Sequence, residues 1–371
     1  MANPSSLYES VVALACAFSD TAAAQSKRKV IIDQDARGPA TTDQQAILMF
    51  LQSANVETLG ITVVSGDMWR DEEVAHTLRM LELTGHTDIP VVPGAIYPLI
   101  NRLELIDRWE ALYGKVQYQG AWNGHKPGMG MNSPWRGKYH TPDVVPDLIE
   151  GNPTLKPAAE DAAHFIIRMV HQYPHQVTIY AGGPLTNIAQ AISIDPQVSE
   201  LAQELVVMGG AIMGVYPGGP PTQPRREFNF WWDPEAVHMV LTAPWPRITV
   251  TTVDISVKVR TTKAYIAEIA KIQTPTAQYV GKYGDEEFMW DELAVAGWLD
   301  PSIITKQSKY FMDIDISHTA NYGSVLLWDE PDHPGLGEQQ VNVPEELDKE
   351  KFLKMFVDLM ALPSAAHPSS H

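Results

Sequence analysis

Ala181-Gly182-Gly183-Pro184-Leu185-Thr186-Asn187-Ile188-Ala189 closes the apolar run Val177 to Ala181 and opens an amphipathic segment, Leu185 to Ile192. A buried apolar run, a turn of two glycines and a proline, then helical spacing reads as strand, loop and helix. The unit recurs on both sides. Val30-Ile31-Ile32 reads as a strand feeding a helix over Asp43 to Leu51, and Leu59 to Val64 as a strand feeding a helix over Asp71 to Leu83. Further strands are expected at Val91-Val92, Leu205-Val206-Val207 and Ile248 to Val253. Further helices are expected over Glu160 to His171, Pro234 to Leu241, Thr262 to Ile272 and Lys349 to Met360. This alternation predicts an α/β chain with a mainly parallel central sheet flanked by helices. Ligands of such sheets lie beyond the carboxyl ends of the strands, so functional residues are expected directly after the apolar runs.

Of the 371 residues 44% are hydrophobic and 19% charged, which fits a globular protein and excludes a disordered or collagen-like chain. The formal net charge of −18, with no run of Lys and Arg, argues against a nucleic-acid partner. Small molecules and a bound cation suit the excess of carboxylates. The single cysteine, Cys16, rules out an intramolecular disulfide and a cysteine-based zinc site. No apolar stretch approaches the ~20 residues of a membrane span. Residues 1–27 read as a degenerate signal peptide or a disordered extension: an apolar run at 11–18 is followed by Ala22-Ala23-Ala24, but Glu9 and Asp20 flank it. A cleaved signal would place the protein outside the cell or in a periplasm; otherwise it would be cytoplasmic. One domain is expected over 28–362, with a flexible tail at 363–371. Two long segments, 113–157 and 214–226, interrupt the alternation and read as functional loops.

Asp33-Gln34-Asp35 directly follows the first strand, and Asp43 opens the next helix. Alone, Asp-x-Asp after a strand fits a helix cap, a Mg²⁺ site of phosphatase type, or a Ca²⁺ site. Three later motifs also follow strands or open helices: Val207-Met208-Gly209-Gly210-Ala211, Glu227-Phe228-Asn229-Phe230-Trp231-Trp232-Asp233-Pro234, and Trp290-Asp291-Glu292-Leu293-Ala294. Taken in this order with Gly-Pro-Leu-Thr-Asn, the set resembles the nucleoside hydrolase family, the inosine-uridine preferring superfamily. The resemblance spans about residues 28–362.

That resemblance implies a single-domain, Rossmann-like fold that hydrolyses the N-glycosidic bond of ribonucleosides with Ca²⁺ as cofactor. It assigns Asp35 as a metal ligand and as the base on a water. Asp43, Asp291 and the Gly182 carbonyl complete an oxygen-only shell of the kind hard Ca²⁺ prefers. Asp33 falls to a supporting position behind these ligands. Glu227 and Asn229, two apart and on one face if extended, are assigned to the ribose hydroxyls. Trp290, where pyrimidine-tolerant members carry His, and Trp109, where the purine-preferring branch has Trp, are expected to sandwich a purine; Asp67 also matches that branch. Trp231 and Trp232 are assigned to the core and Asn187 to a structural role. A homodimer or homotetramer is the expectation for the assembly.

The chain departs from the family pattern in the first motif. Asp35 and Asp43 are eight residues apart where five is usual, so the loop Ala36-Arg37-Gly38-Pro39-Ala40-Thr41-Thr42 is three longer. Thr42 then stands where the family has an aspartate that grips a ribose hydroxyl, and Arg37 brings a cation toward the metal. Val215-Tyr216-Pro217-Gly218 stands where an Asn is expected. Two alternatives stay open: hydrolysis of a different N-riboside, and a catalytically weak protein that binds ribosyl ligands. A phosphatase built on Asp33 and Asp35 lacks the later Lys and acidic motif it would require.

Overall fold

The computed structural model describes residues 26–116, 118–126, 138–213 and 226–364. The signal-peptide reading and the Val215 to Gly218 departure fall outside them. Among the described residues nine strands form one sheet: β1 (Arg28–Gln34), β2 (Val56–Val63), β3 (Val91–Pro93), β4 (Val177–Ala181), β5 (Glu204–Met208), β6 (Ile248–Thr251), β7 (Ile304–Ile314), β8 (Val325–Trp328) and β9 (Gln339–Leu347). Their order is β3-β2-β1-β4-β5-β6-β9-β7-β8. The pairs from β3 across to β9 are parallel; β7 pairs antiparallel with β9 and with β8. The six strands expected from the sequence are all present. The antiparallel arm β7 to β9 was not expected.

Alternation along the strands assigns their side chains to two cores. Val30 and Ile32 of β1, Tyr180 of β4 and Val206 of β5 pack on one face, beneath helices that include Thr42–Gln52 and Trp290–Leu299. Ile31, Ile179 and Val207 pack on the other, against Ala162–Gln172, Thr186–Ile194 and Pro234–Leu241. A strand covered on both faces needs apolar residues in both phases, which is why these strands read as continuous apolar runs. A third cluster of Trp69, Ile106, Trp122, Trp231 and Trp232 sits apart from both, with the Trp122 and Trp232 rings stacked 4.0 Å apart.

Strand order reverses at β1: the chain moves outward through β2 and β3, then returns to the other side of β1 with β4. The loops leaving β1 and β4 therefore part in opposite directions and leave a crevice between them. Asp33 on β1 pairs with Ala181 on β4, so Asp35 and Gly182 meet at the carboxyl ends of the two strands. Among the described residues, no helix is long and apolar enough to cross a membrane.

Candidate active site

A cavity of about 590 Å³ opens at this switch point, within the size range of small-molecule sites. Asp35, Thr42, Asp43, Asp67, Gly182, Glu227, Asn229, Trp290 and Asp291 line it, so nearly all the residues singled out above come together. Asp35 ends β1's run into the crevice; Thr42 and Asp43 begin the helix Thr42–Gln52, and Asp291 lies in the first turn of Trp290–Leu299. The two helices pack side by side on the same core face of the sheet, which is how residues 249 apart in sequence reach hydrogen-bonding distance: Thr42 Oγ1 lies 3.1 Å from Asp291 Oδ2.

Asp35, Asp43 and Asp291 are buried. Gln34 ties two of them, its Nε2 donating to Asp43 Oδ1 at 3.0 Å and to Asp291 Oδ1 at 3.3 Å. The Asp67 backbone N–H donates to Asp35 Oδ2 at 3.0 Å. A Cβ on Gly66 would overlap the Asp35 carboxylate, and one on Gly182 would overlap the Gln34 amide, so the absence of side chains there makes room for the acids. Burial raises the Asp35 carboxyl well above the usual range, and the neighbouring Asp67, Asp43, Glu73 and Asp291 raise it further. Burial likewise raises Asp43, helped by Asp291 and Asp67 and opposed by Arg37. Burial raises Asp291, against hydrogen bonds from Gln34, Thr42 and Tyr180.

Asp33 lies behind these groups and does not line the cavity. Its Oδ1 accepts from Thr62 at 2.5 Å and from Asn187 Nδ2 at 2.7 Å, while the Asn187 Oδ1 accepts the Ala95 N–H. The Thr42 hydroxyl is held by the far helix: it stands 2.6 Å from Glu292 Oε2 and accepts the Asp291 N–H at 3.1 Å. Asp67 is half-buried and does not cap the following helix, whose cap position is Trp69; its Oδ1 accepts the Tyr118 hydroxyl at 2.6 Å.

Three expectations need correction. Glu227 and Asn229 do not share one extended segment: Glu227 is extended, but Asn229 is helical. Glu227 is the N-cap of the short helix Phe228–Trp232, and its carboxylate accepts the N–H groups of Asn229, Phe230 and Gly210. A carboxylate that satisfies free helix N–H groups is favoured there, so a helix begins directly after Glu227. Asn229 donates to the Gly182 carbonyl at 2.8 Å and to Met208 O at 3.2 Å, which joins β4, β5 and this helix at the cavity floor. Trp109 is not a wall of the cavity. Its Nε1 donates to Thr319 O at 2.7 Å, and the Arg226 guanidinium lies over its ring. The expected sandwich with Trp290 is absent; Trp231, buried in the aromatic cluster as expected, also lines the cavity together with Trp290 and Phe228.

Arg37, Glu287, Tyr118 and Arg226 were not selected from the sequence as site residues, yet all four line the cavity. The Arg37 guanidinium pairs with Glu287 and stands 3.3 Å from Asp67 and 4.0 Å from Asp43. Glu287 lies only four residues before Asp291, so proximity to that motif was the one available signal.

The family model described as inosine-uridine preferring nucleoside hydrolase matches residues 30–354. The chain belongs to this family. It is 30% identical to an uncharacterized protein of Schizosaccharomyces pombe, over 84% of this chain and 78% of that one. It is 28% identical to the pyrimidine-specific ribonucleoside hydrolase of Shewanella woodyi, over 90% of this chain and 97% of that one. Among solved structures, the purine-preferring ribonucleoside hydrolase of Gardnerella vaginalis superposes with a TM-score of 0.69 at 20% identity, covering 90% and 98% of the two chains. This nucleoside hydrolase is thus an N-glycosidase, and its relatives include enzymes named for either class of base.

The donor set fits a hard divalent cation in kind. Six carboxylates line the cavity (Asp35, Asp43, Asp67, Glu227, Glu287 and Asp291) against three cations (Arg37, Lys115 and Arg226). Buried acids that raise one another's pKa are stabilised by a cation among them. Asn229 uses one acceptor site of the Gly182 carbonyl and leaves the other. The acids are not drawn into a finished shell, however: among the described residues no three His, Cys, Asp or Glu side chains cluster as metal ligands. Arg37 lies against Asp43 instead.

Proposed function

We propose that the cavity hydrolyses the N-glycosidic bond of purine ribonucleosides, releasing free base and ribose, with Ca²⁺ as its metal and Asp35 as the base. The observation that carries this is the position of Asp35: a buried carboxylate at the switch point, ringed by Asp43, Asp67 and Asp291. Burial and the neighbouring acids raise its affinity for a proton, the direction that strengthens a general base. In the reaction the oxygen of water bonds to C1′ as the C1′–N bond breaks. Asp35 takes the proton that the water loses, and the departing base leaves with the bond's electron pair and is protonated from solvent.

A bound Ca²⁺ would be held by Asp35, Asp43, Asp291 and the Gly182 carbonyl and would supply Lewis acidity that eases deprotonation of water. Thr42 lines the cavity without the charge of an aspartate, its hydroxyl held by Glu292 and Asp291. Asn229 and Glu227 would hold ribose hydroxyls by the hydrogen-bonding capacity their helix leaves over. Purine preference is supported by the aromatic lining of Trp290, Trp231 and Phe228, since the larger base gains more from stacking. The pyrimidine-specific name of the Shewanella relative weighs the other way.

The test is a panel assay of ribose released from inosine, adenosine, guanosine, uridine and cytidine, with and without chelator. Faster release from inosine or adenosine than from uridine, abolished by chelation, is the expected result. Faster release from uridine overturns the base preference, and release unaffected by chelation overturns the metal. The second reading, a weak ribosyl-binding protein, is favoured by the Arg37 guanidinium among the acids. It would stand if no nucleoside were cleaved while one bound only with Ca²⁺.

A further inference from the structure

We propose that Arg226 recognises an anionic group on the substrate, so that the preferred ligand is a riboside carrying a phosphate or a carboxylate. This rests on the hydrolase reading above and narrows its substrate class. Arg226 lines the same cavity as Asp35, and its Nη1 is buried with no hydrogen-bond partner. Among the described residues no carboxylate lies within salt-bridge distance of it. The other two cations of the cavity are engaged: Arg37 with Asp67 and Glu287, and Lys115 with Glu110 at 3.3 Å. Even the adjacent carboxylate, Glu227, is turned to the helix N–H groups it caps.

The guanidinium is also held in place. Its Cζ lies 4.2 Å from the centroid of the Trp109 ring, and that ring is fixed in turn by the Nε1 hydrogen bond to Thr319. Stacking occupies a face of the guanidinium and leaves its N–H edge for an acceptor. A planar fork of donors, immobilised and partly stripped of water, suits the paired oxygens of a phosphate or carboxylate. Burial without a compensating acid holds the Arg226 pKa down at about 10, in keeping with a charge that lacks its partner. A cavity so rich in carboxylates would otherwise repel an anion; among the described residues Arg226 is the cation of its wall left to compensate one.

Calorimetry of the Ca²⁺-loaded protein decides the matter, comparing adenosine with adenosine 5′-monophosphate and uridine with its 6-carboxylated analogue. At least one anionic member should bind ten-fold or more tighter than its neutral parent. A gain confined to the monophosphate identifies a sugar phosphate, and a gain confined to the carboxylated uridine identifies an anionic base. Arg226→Gln should bring the ratio of anionic to neutral affinity close to one, and Arg226→Lys should restore part of it. Equal affinity for anionic and neutral ligands in the unsubstituted protein, or a ratio unchanged by Arg226→Gln, overturns the proposal. Ribose release measured alongside separates the two readings: an anionic preference without cleavage of any riboside leaves this inference standing and removes the hydrolase reading beneath it.

Discussion

The Nε of Arg37 stands 3.3 Å from Asp67 Oδ2 and 4.0 Å from Asp43 Oδ2. The lengthened loop after Asp35 thus returns a positive charge into the acidic cluster and pairs it with Glu287 at its outer end. A unit charge pair at ~4 Å is worth about 4 kcal/mol at an effective dielectric of ~20, so a divalent ion near Asp43 meets substantial repulsion from this guanidinium. Arg37→Gln is therefore expected to tighten Ca²⁺ binding by roughly ten-fold, read by calorimetry. The same substitution should lower the melting temperature of the chelated protein, because the acids lose their internal counter-charge. Unchanged or weaker Ca²⁺ binding would show that Arg37 does not compete for the acids.

Asp35→Asn keeps the shape of the side chain and removes both a negative charge and a proton acceptor. Loss of a general base costs on the order of 10²–10⁴ in rate, so ribose release should fall by that factor. Because Asp35 is buried and repelled by Asp67 and Asp43, the chelated variant should melt at or above the temperature of the unsubstituted protein. A fall in rate well short of ~10², the low end of what such catalysis provides, would remove Asp35 from the base position.

The hydroxyl of Thr42 holds Glu292 and the backbone of Asp291 at once. Thr42→Val fills the same volume but leaves a buried carboxylate and a buried N–H without their partner. Each such loss costs about 1–3 kcal/mol, and the variant should show that loss in urea unfolding. The urea midpoint would have to stay fixed for Thr42 to be a mere stand-in for the aspartate it replaces.

Stability should fall with rising pH when no metal is present. Burial pushes the Asp33 carboxyl up to about 7 and that of Asp233 up to about 6, from an ordinary value of 3.8. An acid with a raised pKa in the folded state holds its proton more tightly there. Its contribution is complete below the unfolded value and is lost as pH climbs through 6 and 7. Glu82, Asp300 and Glu338, each lowered to about 2, act oppositely and lose their contribution only as pH falls toward that value. The chelated protein should accordingly melt at a higher temperature near pH 5 than near pH 8, values that lie on either side of these raised pKa values. Added Ca²⁺ should raise the melting temperature more at the upper end, since ionised acids bind it better. A melting temperature that climbs from pH 5 to 8 in chelator would contradict the sign of these shifts.

The sequence by itself determined the parallel half of the sheet, the strand ends that carry Asp35 and Gly182, and the family. These features are local or follow from the order of short motifs: short apolar runs rich in β-branched residues and bounded by turn residues read as strands, and Val177 to Ala181 was legible residue for residue. Tertiary structure decided the rest. β7 to β9 alternate weakly, with one face largely exposed along β7, and only pairing with β9 makes them part of the sheet. Glu227 itself is extended, but the chain turns helical directly after it, because its carboxylate caps the free N–H groups of Asn229 and Phe230. Trp109, Trp231 and Trp290 are indistinguishable as residue types, and packing alone put the first behind Arg226 and the other two on the cavity wall. The positions of charged side chains depend most on long-range contacts. Arg37 meets Glu287 from 250 residues away, and no local pattern encodes which distant acid a flexible guanidinium will reach. The acidic cluster at Asp35 was thus visible from its aspartates, whereas the balance of charge within it emerged only when the chain closed on itself.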